Sequence, residues 1–178
     1  PQTKMYIIRF IHALWSLLLI KYGYKIAYQY KGKKAAWYVG LFLALFWFMP
    51  FLSVRNLVEY VCVPLILMAI YYLNKPNSKK TDYILAGLGL GFAFSIRFQS
   101  ILITAGITLA LILIHTDWRK MFYLILAFLS VVLLTQGLVD IIIWKKPFTE
   151  FLAYVDYNLN NATIYGTDNW HMYFDLIF

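Results

Sequence analysis

Charged side chains are scarce in this sequence. Asp, Glu, Lys and Arg make up 13% of its 178 residues, whereas about 25% is usual in a soluble globular protein. Hydrophobic residues make up 62%, and the mean hydropathy is +0.68. A chain with so few charges cannot cover its own surface with polar groups in water. The composition therefore excludes a soluble enzyme, a disordered chain and a collagen-like repeat, and it indicates a protein whose solvent is lipid.

Cysteine and the common metal and nucleophile motifs are also lacking. Cys62 is the single cysteine, so a disulfide scaffold is excluded, and its place inside an apolar run indicates packing. The sequence contains no H-E-x-x-H, C-x-x-C or G-x-S-x-G motif. His12 and His115 stand apart, without the spacing of metal ligands. We therefore predict neither a metal site nor a cofactor.

The glycine-rich stretch 87–91 (G-L-G-L-G) does not predict a nucleotide-binding loop, because it lacks the G-x-G-x-x-G spacing and no strand precedes it. Gly87 and Gly91 instead fit the G-x-x-x-G pattern, which lets the backbones of two membrane helices approach closely. The stretch therefore predicts a tight contact between helices.

Lysine and arginine outnumber the acidic residues. Sixteen basic residues against eight acidic ones give a net charge of +8. In a soluble protein such an excess would suggest nucleic acid, but in a membrane protein basic residues mark the cytoplasmic loops. We therefore predict contact with membrane lipid and no nucleic acid partner.

Short polar stretches divide the chain into six apolar segments. A helix that crosses a membrane needs about 17–25 residues, so the fourth and fifth segments are short and could instead form one fused helix. If all six cross, ten basic and two acidic residues share one side, and the opposite side is neutral. The positive-inside rule favours this asymmetry, which fusion would spoil. The segments cover residues 5–20, 35–51, 57–73, 83–95, 100–114 and 121–144.

The sequence thus predicts an all-α fold, a polytopic transmembrane helix bundle of about six spans. A polar loop over residues 145–175 follows on the non-cytoplasmic side. The chain starts at Pro1 rather than Met, and residues 175–178 resemble the start of another apolar segment. We therefore expect residues 1–178 to be a fragment of one longer transmembrane domain.

Two arginines near the ends of apolar segments are candidates for a polar site. Arg55 and Glu59 are four residues apart, so a helix would place both on one face. They could form an interfacial ion pair, or Arg55 could bind a phosphate while Glu59 orients it.

Arg97 lies between the two short segments, with Gln99 close behind it and aromatic residues on both sides. An ionisable group at membrane depth usually serves a substrate or ion path, although lipid headgroups could also bind it.

The loop 145–175 interleaves aromatic residues with amides and carboxylates. Aromatic rings stack on the apolar face of a sugar while polar groups bind its hydroxyls, so this composition favours a sugar ligand. An aromatic belt at the membrane interface is the alternative, but a belt alone does not need so many Asn and Asp residues. Residues 161–163 (N-A-T) form a glycosylation sequon, which matters only in a eukaryotic protein.

Four short stretches of the sequence occur in the same order as the motifs of one known family. Residues 165–174 read Y-G-T-D-N-W-H-M-Y-F, residues 53–59 read S-V-R-N-L-V-E, residues 96–99 read I-R-F-Q, and Asp140 is followed by F-L at 151–152. In this order they resemble the GT-C integral-membrane mannosyltransferases of glycosyltransferase family 22, which act in the glycosylphosphatidylinositol and dolichol pathways and have bacterial relatives. The last motif is the most specific, and it departs from the family's Y-G-[ST]-x-x-W-H-W-Y-F signature by carrying Met in place of the second Trp.

The resemblance implies an inverting glycosyltransferase. It would move a sugar, typically mannose, from a polyprenyl- or dolichyl-phosphate donor to a lipid-linked glycan acceptor on the non-cytoplasmic face. Arg55 and Arg97 would stabilise the phosphate leaving group, while Glu59 and Gln99 would orient them or bind sugar hydroxyls. The family's catalytic base lies in an outer loop that we expect before Pro1, so the catalytic residues stay unknown. The residues that would line the sugar or acceptor pocket are Tyr165, Trp170 and His171.

Two other functions fit the same residues. Short spans around a polar group such as Arg97 also occur in transporters and lipid flippases. A non-catalytic membrane subunit could use the loop 145–175 as a docking surface. In each case we expect a multi-pass integral protein, in the endoplasmic reticulum membrane of a eukaryote or the inner or plasma membrane of a prokaryote.

Overall fold

The computed structural model of the protein describes residues 2–55, 57–114, 117–161, 164 and 172. Within these residues all regular structure is helical, which confirms the predicted all-α fold. The α-helices are α1 (Gln2–Leu45), α2 (Met49–Ser53), α3 (Val58–Leu73), α4 (Lys80–Ile96), α5 (Ile101–Leu113), α6 (Trp118–Val132), α7 (Val139–Trp144) and α8 (Thr149–Asn160). A 3₁₀ turn at Phe98–Ser100 precedes α5, and a π-helical stretch at Leu133–Leu138 joins α6 to α7.

Two helical stretches are long and apolar enough to cross a membrane, Gln2–Leu45 and Trp118–Trp144. The stretches Val58–Leu73 and Phe98–Leu113 are also apolar but shorter. Many large hydrophobic side chains on these helices are exposed, and Leu102 is an example at 75%. Lipid tails solvate such a surface well and water solvates it poorly, so the helices support a location in the membrane. The number of six spans stays a prediction.

Helix α1 is broken at Gly32. The backbone there takes φ 74° and ψ −169°, a conformation that glycine adopts readily and other residues avoid. The two arms on either side pack against each other, because Leu43 lies against Gly23 and Tyr24 lies against Gly40. The chain therefore reverses at Gly32, and α1 is a helical hairpin that holds the first predicted segment and most of the second.

Helix α4 carries the closest packing of the first compact unit. The chain divides into two such units, one up to Thr135 and one from Gln136 onward. In the first unit, α4 packs against α3 and α6. A β-carbon added to Gly87 would clash with the carbonyl oxygen of Leu124, and one added to Gly91 would lie 2.8 Å from the β-carbon of Val131. The predicted tight contact at the G-x-x-x-G pair is confirmed, with α6 as the partner helix.

Asp82 fixes the loop between α3 and α4. Its Oδ1 accepts a hydrogen bond from Lys75 Nζ at 2.6 Å, and its Oδ2 accepts one from the backbone N–H of Lys79 at 2.8 Å. Burial raises the pKa of Asp82, but the hydrogen bonds and charges of Lys75 and Lys79 together outweigh burial, so this pKa lies below its ordinary value. The hydrogen bond to Asp82 raises the pKa of Lys75, against a smaller opposing effect of burial. The carboxylate therefore joins the loop to the start of α4.

In the second unit a buried carboxylate holds the start of α8. Asp140 is 1% exposed, and its Oδ2 accepts a hydrogen bond from the backbone N–H of Glu150 at 3.0 Å. The first N–H groups of a helix have no partner within the helix, so Asp140 stabilises the N-terminus of α8. The backbone N–H of Phe148 also donates to the carbonyl oxygen of Gln136 at 3.1 Å.

Candidate functional site

Three of the residues predicted for the site lie together at one end of α3 and α4. Glu59 is in the first turn of α3, and Arg97 follows the last residue of α4. The Nη1 atom of Arg97 forms an ion pair with Oε1 of Glu59. The Nε atom of Arg97 donates a hydrogen bond to Oε1 of Gln99 at 3.3 Å. The guanidinium group is therefore held from two sides, by a carboxylate and by an amide.

A break in the helical chain places Arg97 at this position. Its backbone is extended, with φ −146° and ψ 111°, between the end of α4 and the 3₁₀ turn that precedes α5. Its N–H donates to the carbonyl oxygen of Ala93 at 3.0 Å and so closes α4, while its own carbonyl oxygen accepts from the N–H of Ser100 at 3.0 Å. The expected interruption between the fourth and fifth segments thus falls at Arg97 itself.

The ion pair is open to exchange. The Glu59 side chain is 61% exposed and that of Arg97 is 33% exposed. Exposed ion pairs contribute only about 0–1 kcal/mol to stability. An anionic ligand can therefore replace the carboxylate of Glu59 on the guanidinium group at little cost to the fold.

A cavity of about 210 Å³ adjoins this group of residues. Its polar end is formed by Glu59, Arg97 and Gln99. Its other walls are mostly apolar, so a ligand with a charged head and a hydrocarbon tail matches its chemistry. The remaining lining residues are Cys62, Val63, Ile66, Ser100 and Ile103.

Cys62 lies in the cavity wall as a packing residue. Its side chain is 3% exposed, and its thiol donates to the carbonyl oxygens of Val58 at 3.2 Å and Ala93 at 3.7 Å. The thiol therefore bridges α3 and α4, as the apolar surroundings in the sequence indicate.

Ser100 also lies in the cavity wall, and the sequence analysis did not identify it. It is 6% exposed, and its Oγ has no hydrogen-bond partner among the described residues. The only sequence signal was its place directly after Arg97, Phe98 and Gln99, since a single serine at a helix start is most often a cap.

Arg55 is not among the residues that line this cavity, and the expectation that it shares a helix face with Glu59 is wrong. Helix α2 ends at Ser53 and α3 begins at Val58, so no helix joins the two residues. The predicted segment 35–51 is not one helix either. Helix α1 ends at Leu45, and α2 begins at Met49 with Pro50 in its first turn. The guanidinium carbon of Arg55 lies 4.3 Å from the centre of the Phe51 ring, while Glu59 pairs with Arg97.

The remaining predicted site residues, Tyr165, Trp170 and His171, lie outside the described residues. The sequon at residues 161–163 is described only at Asn161, and His115 also falls outside. In the part of the chain that the structure describes, no group of three or more His, Cys, Asp and Glu residues could hold a metal ion.

The site and the basic loop between α3 and α4 lie at opposite ends of these two helices. Lys75 follows the last turn of α3 and Lys80 begins α4, whereas Glu59 and Arg97 lie at the other two helix ends. Each helix rises 1.5 Å per residue, so about 24 Å of helix separates the two ends. This distance approaches the thickness of a hydrocarbon core, about 30 Å.

Comparison with known proteins identifies a family. The sequence profile of the Alg9-like mannosyltransferase family matches residues 1–178. No curated protein and no solved structure matches the chain significantly. The chain therefore belongs to the Alg9-like mannosyltransferase family, a family of membrane glycosyltransferases.

Proposed function

We propose that this protein transfers mannose from a polyprenyl- or dolichyl-phosphate donor to a lipid-linked glycan acceptor on the non-cytoplasmic face of the membrane. Membership of the mannosyltransferase family supports the reaction class. The observation that carries the donor class is the cavity beside Arg97, which joins an accessible guanidinium group to apolar walls. A lipid phosphate combines these two properties in one molecule.

Arg97 is the residue to which we assign the donor phosphate. Negative charge grows on the phosphate oxygens as the bond between sugar and phosphate breaks. A guanidinium group offers planar, permanently charged donors that match two phosphate oxygens at once. Gln99 holds the Nε side of the group, so the Nη atoms stay directed toward the ligand. Such a preorganised cation lowers the energy of the transition state more than that of the bound substrate.

The other predicted site residues complete the proposal. Arg55 provides a second cation for the phosphate, and Tyr165, Trp170 and His171 bind the sugar or the acceptor. Transfer proceeds by direct displacement with inversion, which requires a general base on the acceptor hydroxyl. We assign that base to no residue of this chain.

The proposed topology places Arg97 on the non-cytoplasmic side. The basic loop residues Lys75, Lys79 and Lys80 lie at the other end of α3 and α4, where the positive-inside rule places the cytoplasm. In this arrangement the protein is multi-pass, and the donor enters the cavity sideways from the lipid. The membrane is that of the endoplasmic reticulum in a eukaryote, or the inner or plasma membrane in a prokaryote.

The test is sugar transfer by membranes that contain the full-length protein. Polyprenyl-phosphate [³H]mannose is supplied with a lipid-linked glycan extract, and labelled glycolipid is measured. We expect Arg97→Ala to lower transfer at least 100-fold, since loss of one positioned donor at a developing oxyanion costs about 10²–10³ in rate. The matched control is Arg119→Ala, which removes an exposed arginine from the first turn of α6.

Equal transfer by Arg97→Ala and wild type would overturn the assignment of Arg97. Absence of transfer by the wild type, together with movement of the labelled lipid between leaflets of a vesicle, would favour the flippase instead. The observation that favours this second function is the break in the helical chain at Arg97, because interrupted helices around a polar group also occur in transporters.

A further inference from the structure

Ser100 has a buried hydroxyl that the fold itself does not use. It ends the 3₁₀ turn before α5, is 6% exposed, and forms part of the cavity wall beside Arg97. Its Oγ has no hydrogen-bond partner in the described parts of the chain. Most buried hydroxyls in proteins are paired, because an unpaired one loses its bonds to water without replacement.

The hydroxyls near Ser100 behave differently. Ser95, Thr104 and Thr108 each donate to the carbonyl oxygen four residues earlier in the chain, with distances of 3.0, 3.2 and 2.8 Å. Serine at a helix start commonly accepts a hydrogen bond from an N–H group of the first turn, but Ser100 makes no such cap. The hydroxyl of Ser100 therefore has no partner among the described residues, and Ser100 itself lies in the cavity wall.

The polar groups around Ser100 define the chemistry of that ligand. The guanidinium group of Arg97 and the amide of Gln99 lie at the same end of the cavity, and both can donate hydrogen bonds. The carboxylate of Glu59 lies at this end as well, paired with Arg97, whereas Val63, Ile66 and Ile103 in the rest of the wall are apolar. A phosphate oxygen only accepts hydrogen bonds, so a phosphate that replaces the carboxylate of Glu59 on Arg97 can also accept a hydrogen bond from Ser100.

We propose that Ser100 is a further donor-binding residue, whose Oγ–H donates a hydrogen bond to a phosphate oxygen of the lipid-phosphate sugar held by Arg97. This inference rests on the proposed function and adds a residue to it. The apolar wall next to Ser100 contacts the first hydrocarbon units of the lipid. A ligand that has the hydrocarbon chain but no phosphate gains nothing from the hydroxyl.

The test is equilibrium binding to the full-length protein in lipid nanodiscs. The probes are farnesyl phosphate, which has the phosphate and a short isoprenoid chain, and farnesol, which lacks the phosphate. We expect Ser100→Ala to raise the Kd for farnesyl phosphate about 10-fold, as is typical for a hydrogen bond to a charged group. The Kd for farnesol should not change. The matched control is Thr108→Val in α5, the helix that follows Ser100, which removes a hydroxyl that is bonded to a backbone carbonyl.

A second measurement distinguishes ligand binding from a structural role. If Oγ is unpaired in the free protein, Ser100→Ala removes a buried polar atom and leaves Tm equal or higher. A lower Tm for Ser100→Ala than for wild type would mean that the fold uses the hydroxyl, and would overturn the inference. An unchanged Kd for farnesyl phosphate would overturn it as well.

Arg97→Ala separates this inference from the proposed function. If wild type binds farnesyl phosphate more tightly than farnesol and Arg97→Ala abolishes the preference, the phosphate site stands. In that case a normal preference in Ser100→Ala rejects the role of Ser100 alone. If wild type shows no preference for the phosphate, both the site and the role of Ser100 are rejected.

Discussion

Arg97 and Glu59 form an ion pair between the end of α4 and the first turn of α3. The two side chains differ in exposure, 61% for Glu59 and 33% for Arg97. Glu59 therefore pairs with one amino group of the guanidinium, Nη1, in a contact that is only partly buried. In the proposed mechanism, the donor phosphate replaces this carboxylate.

Glu59→Gln should strengthen the binding of a lipid phosphate. The substitution removes the carboxylate that competes for Arg97, and an exposed ion pair of this kind contributes about 0.2–1 kcal/mol. We therefore expect the Kd for farnesyl phosphate to fall about 1.4-fold to 5-fold. The measurement is equilibrium binding in nanodiscs, with Asp156→Asn as the control, since Asp156 is an exposed acid on α8. Weaker binding by Glu59→Gln would show that Glu59 contacts the ligand instead of competing with it.

Asp82 should make the stability of the protein depend on pH in the acid range. Its folded pKa lies below the unfolded value of 3.8. A carboxyl group with a lowered folded pKa stabilises the fold fully at pH values above its unfolded pKa. This stabilisation is lost as the pH falls from the unfolded pKa to below the folded pKa. We expect Tm to drop below about pH 4 in wild type and to change less in Asp82→Asn. The measurement is the Tm of both proteins in detergent from pH 7 to pH 2.5.

Lys75 makes the ion pair with Asp82 lose its stabilising effect at high pH as well. Its folded pKa is raised above 10.5, so its contribution is complete below that value and is lost as the pH rises through the folded pKa. The contact is therefore fully stabilising at neutral pH. Equal acid sensitivity in wild type and Asp82→Asn would contradict this account of the loop between α3 and α4.

Gly87→Ala should destabilise the contact between α4 and α6. A β-carbon at this position would meet the backbone carbonyl of Leu124, which cannot rotate away as a side chain can. Overpacking of this kind costs about 1–3 kcal/mol. Gly106→Ala is the matched control in α5, because nothing lies within 4 Å of its added β-carbon. There the better helix propensity of alanine should stabilise by about 0.5–1 kcal/mol. Tm values of the two variants that shift in the same direction would contradict the packing.

Local sequence patterns were sufficient for several features of the fold. The all-α fold, the tight pair of Gly87 and Gly91, and the break at Arg97 are confirmed by the described helices. Each depends on residues close in sequence, because hydropathy and helix periodicity act over one or two turns. The sequence patterns did not predict which side chains pair within the site. Arg55 and Glu59 are near in sequence, yet Glu59 pairs with the more distant Arg97.

The amino-acid sequence by itself determined that this protein is helical and suited to lipid, since its shortage of charge leaves no other solvent for its side chains. It also determined the family, whose sequence profile matches residues 1–178. Only the tertiary structure decided which residues meet. The packing of α3 against α4 brings Glu59 to Arg97 and places Ser100 in the same cavity wall. Whether a buried hydroxyl finds a partner depends on its three-dimensional surroundings, so the Ser100 hydroxyl, which has none among the described residues, has no signature in the sequence.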